Sequence, residues 1–172
     1  MRIQTAGKER ARLMSSKLMT TWSEYDSAVQ EILDLSPTRL DIFDEDLSSL
    51  RLEGADRIAA LRSVLTAASH SRQLRIVVRR RDFVCQCSPH LMNLLTLYAP
   101  LISIIHSPPH LDKLGDCLMI ADDRHALVRF HRDHARARLI IDDSGECAPY
   151  VQRFADVVAE GGDPLSSTTL GL

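Results

Sequence analysis

Residues 115–130, GDCLMIADDRHALVRF, read as a buried strand, an acidic turn and a second strand. CLMIA is apolar throughout, as expected of a strand covered on both faces, and the polar stretch after it suits a tight turn. RARLIID at 136–142 follows closely, so at least one pair here is antiparallel. Upstream the rhythm is slower. ADRIAALRSVLTAAS (55–69) predicts a helix with Ile58, Leu61, Leu65 and Ala68 on one face and Asp56 in its first turn. It feeds the β-branched strand RQLRIVVRR (72–80). HLMNLLTLYA (90–99), opened by Ser88-Pro89, is a second apolar helix, and LISIIH (101–106) is a strand closed by Pro108-Pro109. Strands separated by helices in this way imply parallel pairing through right-handed crossovers.

Toward the N-terminus, SEYDSAVQEILDL (23–35) predicts a helix capped by Ser23 and ended by Pro37, followed by the short strand RLDIFD (39–44). APYVQRFADVVAE (148–160) is a closing helix with Val151, Phe154, Val157 and Val158 inward. The sum is an α/β fold with a mixed, largely parallel sheet flanked by helices. Residues 1–22 are expected to be flexible or frayed, 23–160 to form the domain, and 161–172 to be a disordered tail.

A chain of 172 residues with 45% apolar and 26% charged residues is long enough for one well-buried core. A net charge of −2 gives no global attraction to nucleic acid or membrane, so any polyanion site must be a local patch. Of the 21 basic residues 18 are Arg, whose forked donors suit carboxylates and phosphates. Four scattered cysteines do not make a secreted disulfide scaffold, and MRIQTAGKERARLMSSKLMTTW has no apolar core of a signal peptide. No run approaches the ~20 apolar residues of a membrane span. The expected location is cytoplasmic.

Cys85-x-Cys87-x-x-His90 raises a zinc reading, but the spacing is poor and a fourth ligand is missing, so no metal is expected. No Gly-rich phosphate loop or dinucleotide fingerprint appears, and no cofactor is expected. RRRD at 79–82 follows a strand end, where α/β folds place ligand contacts, and equally suits a charged loop. Asp44, Glu45 and Asp46, after the first strand, are candidates to pair with those arginines.

The order of elements resembles one half of the phospholipase D superfamily fold over residues 24–160. EILDLSPTRLDIFDEDL resembles its opening helix and first acidic loop, ALRSVLTAASHSRQLRIVV a helix–strand unit, MIADDRHALVRF the motif strand with its turn and successor, and YVQRFADVV the final helix. The resemblance implies a site built on His-x-Lys-x-x-x-x-Asp followed by Gly-Ser-x-Asn. In that chemistry a His attacks phosphorus, Lys neutralises the phosphate oxygens, and Asp orients the His. Here the His position falls on Gly115, the Lys on Cys117 and the Asp on Asp122, while Gly-Ser-x-Asn falls on Arg129, Phe130, His131 and Arg132. Nucleophile and cation are both absent from their strand. His110 and Lys113 lie just before it, at a different spacing.

Arg129 and His131 alternate onto one face of their strand, with His134, Arg136 and Arg138 near by. They form either an anion-binding surface or the solvated outer face of a hairpin. The expected function is therefore a non-catalytic binding or regulatory module for a protein, a nucleotide or a polyanion. The alternative is a phosphodiesterase or nuclease with a rearranged site acting as a homodimer. The resemblance also implies self-association, two halves facing each other with the Gly115–Asp122 strand near a two-fold axis and an apolar border there buried by the second copy.

Overall fold

The computed structural model describes residues 15–166. Among them one sheet runs in the order β1-β7-β6-β5-β2-β3-β4-β8. Its strands are β1 Ser15–Met19, β2 Arg39–Asp44, β3 Gln73–Val78, β4 Ile102–His106, β5 Cys117–Ala121, β6 His125–Arg129, β7 Ala137–Ile141 and β8 Asp163–Pro164. The helices are α1 Trp22–Asp34, α2 Ala55–Thr66, α3 Asp82–Cys87, α4 Pro89–Leu97 and α5 Ser144–Ala159. Helices α1 to α4 pack on one face through residues such as Ile32, Leu61, Val84 and Leu91. On the other face α5 sets Cys147, Phe154 and Val157 against Phe43, Leu118, Ile120 and Val128. Every residue of β5 is buried, the physical reason its sequence is apolar without alternation.

The mixed α/β class expected from the sequence is the one observed, but among the described residues the sheet is largely antiparallel and not largely parallel. Parallel pairing is confined to β2·β3 and β3·β4; the hairpins β5–β6–β7 are too tightly joined for anything but antiparallel pairing, and β5 also lies antiparallel to β2. The β5–β6 turn places Asp122 and Asp123 at φ 52° and 56°, the left-handed pair that matches a hairpin's twist. Arg124 N–H donates across it to Ala121 O at 3.2 Å.

Two boundaries move. Ser15–Met19, expected within a flexible segment, pairs with β7 and buries Met19. Helix α1 starts before Ser23 because Thr21 supplies the cap: its hydroxyl accepts from Glu24 N–H (3.2 Å) and the Glu24 carboxylate accepts from Thr21 N–H (3.1 Å). Such a reciprocal box contributes about 1 kcal/mol. At the other end Asp163–Pro164 extends the sheet beside β4 and Leu165 joins the core, so the expected tail is ordered that far. Residues 1–14 and 167–172 lie outside the described residues. Among the described residues β5 is covered on both faces, and the exposed large apolar residues are Leu18, Trp22, Leu35, Leu97 and Phe130.

Candidate functional site: a buried ion network at the strand ends

The antiparallel register sets Asp44, Cys117 and Arg129 side by side at one end of β2, β5 and β6. All three are buried. One Arg129 nitrogen donates to Asp44 Oδ1 at 2.9 Å and approaches Cys117 Sγ at 3.2 Å. The other carboxylate oxygen of Asp44 accepts from Leu47 N–H at 2.8 Å, holding a residue whose φ is +70°. Burial, aided by the Asp44 charge, pushes the Cys117 thiol up to about 12, so it is a neutral group and no nucleophile.

Arg79, also buried, reaches Cys117 Sγ from the end of β3 at 3.3 Å and lies over the Phe43 ring. Its Nε donates to Glu45 Oε2 at 3.0 Å, and Arg132 donates to the same oxygen at 2.9 Å. Arg80 stands 3.9 Å from the other Glu45 oxygen. The acid loop and the RRRD stretch therefore do meet, but through Glu45, while Asp44 takes Arg129 instead. Beside this network opens a cavity of about 360 Å³, lined by Trp22, Arg80, Arg129 and Arg132 among others.

Gly115 has a specific neighbour. A Cβ built there would stand 2.8 Å from Cδ2 and 3.2 Å from Nε2 of His131, closer than contact distance. The chain is pinned at this point, since Arg132 N–H donates to Gly115 O at 2.7 Å. His131 Nδ1 accepts from Asp133 N–H at 3.2 Å, and its ring lies 5.5 Å from that of His134. The imidazole thus occupies the space that a side chain at 115 would need. Because the ring is half exposed, Gly115→Ala is expected to displace it at a cost of about 1 kcal/mol. NMR of the His131 ring would register the change; unmoved resonances would show that the ring does not fill that space.

The other sequence candidates are dispersed. Arg129 turns into the core, whereas Arg138 lies on the opposite face and pairs with Glu146 of α5 at 2.6 Å. Arg136 is exposed beyond the end of β7. The expected convergence of Arg129, His131, Arg136 and Arg138 is therefore not found, because the β6–β7 register sets Arg138 opposite Val128, on the other side of the sheet from Arg129. Asp122 lies at the far end of β5 from Gly115, roughly 20 Å of extended chain away. Its Oδ1 accepts from Thr38 N–H and Oγ1 (both 3.1 Å) and from Arg39 N–H (2.9 Å), tying down the start of β2. It orients no histidine at the strand's other end. His110 pairs with Glu160 at 2.8 Å, and Lys113 closes the short 3-10 turn containing it. Glu53 engages His90 at 2.8 Å, Cys87 is exposed, and no metal-holding group of three side chains occurs among the described residues.

No protein-family model and no curated protein matches the sequence. Solved structures do resemble the fold. Nuc from Salmonella typhimurium, a phospholipase D family member, superposes with a TM-score of 0.57 at 13% identity, over 90% of this chain and 99% of that one. The fold is phospholipase D-like. NucT from Helicobacter pylori agrees, with a TM-score of 0.52 at 12% identity over 86% of this chain and 97% of that one. TrmBL2, an archaeal chromatin protein with a novel mode of DNA binding, gives a TM-score of 0.63 at 13% identity. There the match covers 94% of this chain and 62% of that one, so this chain spans under two thirds of the chromatin protein's length. No helix among the described residues is long and apolar enough to cross a membrane.

Proposed function

We propose that this phospholipase D-like domain is a non-catalytic binding or regulatory module. One observation carries the reading: the strand end on which the fold's His-x-Lys pair is expected bears Gly115, whose side-chain space is filled by His131, and Cys117, a buried neutral thiol. Phosphodiester cleavage needs a nucleophile and a cation free to meet developing charge. The guanidiniums nearest Cys117 are those of Arg129 and Arg79, already paired with Asp44 and Glu45. The DNA binding of TrmBL2 supports a nucleotide or polyanion as the ligand class.

The purified protein is expected to release no nitrophenolate from bis-p-nitrophenyl phosphate, and to cleave no single-stranded DNA, above a buffer blank. The position of the His131 ring favours the second reading, a phosphodiesterase with a rearranged site in which that imidazole is recruited. Turnover that disappears in His131→Ala would establish the second reading and overturn the first.

A further inference from the structure

The cavity beside the ion network and a second one of about 270 Å³ meet at the same three residues, Trp22, Ser48 and Ser49. Trp22 is 47% exposed, high for so large an apolar side chain. It is nevertheless held: its ring meets Tyr25 edge-on at 5.9 Å, and the Arg129 guanidinium lies 5.4 Å from its centroid. A fixed, half-open indole gives a flat ring something to stack on without first being ordered.

Donors surround it. Arg80 is 71% exposed, with only the 3.9 Å approach to Glu45, and Arg132 uses one of its nitrogens on Glu45 and on Asp112 O. The Ser49 hydroxyl has no hydrogen-bond partner, and neither has the buried Nε of Arg129. The acids of the first cavity are largely engaged: Glu45 holds Arg79 and Arg132, and Asp46 accepts from the Ser48 N–H and hydroxyl at 3.0 and 2.6 Å. The exposed Arg80 fork and the remaining Arg132 nitrogens, beside an aromatic platform, suit a ligand that carries both a flat ring and a phosphate.

We infer that this cavity binds a nucleoside monophosphate, the base stacked on Trp22 and the phosphate held by Arg80 and Arg132. The inference rests on the binding-module reading and names its ligand. A single nucleotide is favoured over a nucleic-acid strand because the site is charge-balanced. Arg80, Arg129 and Arg132 are matched there by Glu45, Asp46 and Asp133, whereas a polyanion groove needs an excess of cations. The volume lies in the small-molecule range.

Trp22 is the sole tryptophan, so its fluorescence reports the site directly. Adenosine monophosphate is expected to quench it saturably, with adenosine and inorganic phosphate each binding at least tenfold more weakly. Arg80→Ala should weaken the nucleotide tenfold or more at an unchanged melting temperature, because Arg80 is largely exposed. Trp22→Ala, followed by calorimetry, should lose the preference for the nucleotide over phosphate. An unaltered spectrum at millimolar nucleotide, or an Arg80→Ala affinity equal to that of the parent, would overturn the assignment. So would tighter, steeply salt-dependent binding of oligothymidylate, which would make the ligand a strand while leaving the module reading intact. Hydrolysis of the nitrophenyl substrate addresses that reading alone, so the two fail separately.

Discussion

Asp44→Ala is expected to lower stability by about 3–5 kcal/mol, the usual cost of leaving one member of a buried ion pair uncompensated. For a chain of this size the melting temperature should fall by on the order of 10 °C. The loss has two sources. Arg129 keeps its charge in a site only 2% exposed, and the left-handed Leu47 loses the acceptor that fixes its N–H. Asp44→Asn should cost less, since an amide oxygen still receives one of these donors. The double variant Asp44→Leu/Arg129→Met removes both charges, and thermal denaturation should find it more stable than Asp44→Ala. If it is no better, the penalty comes from packing or from the Leu47 loop and not from the stranded guanidinium.

Asp122→Ala ranks next, at roughly 2–4 kcal/mol. Three hydrogen bonds from Thr38 and Arg39 are lost, each contributing about 1 kcal/mol, and alanine must adopt a φ near +52° at a further cost of about 1 kcal/mol. Asp122→Asn should cost less than about 1 kcal/mol, because asparagine tolerates the left-handed region and its oxygen can accept the same bonds. Urea denaturation of the pair separates this account from a purely electrostatic one, in which Asn would be as damaging as Ala.

The fold was legible because its core elements are strongly patterned. The unbroken apolar CLMIA run, the β-branched LRIVV strand and the helical spacing of Ile58, Leu61 and Leu65 in α2 can each be read alone. Strand β1 was not legible, because Met19 is buried while Ser16, Lys17 and Leu18 stay exposed at the sheet edge; β8 has two residues and no pattern. The candidate site was legible in its residue types and not in its contacts. Gly115 and Cys117 visibly lack the chemistry of His and Lys. That His131 fills the space beside Gly115, however, depends on a register between strands. Glu45 as the meeting point of Arg79 and Arg132 spans separations of 34 and 87 residues, which no local window contains. The facing acid loop and RRRD stretch were the usable signal. Trp22, at the boundary of a segment read as frayed, had none.

The contact between Gly115 and His131 also couples the two positions as this surface changes over generations. A histidine placed at 115 arrives in space already taken by the imidazole at 131, so the substitution is disfavoured until the second position has given way. Removing His131 first, by contrast, leaves a void that residue 115 can then grow into. Substitutions at the two positions are therefore expected to be coupled, with Gly115→His costing less stability in a His131→Gly background than alone.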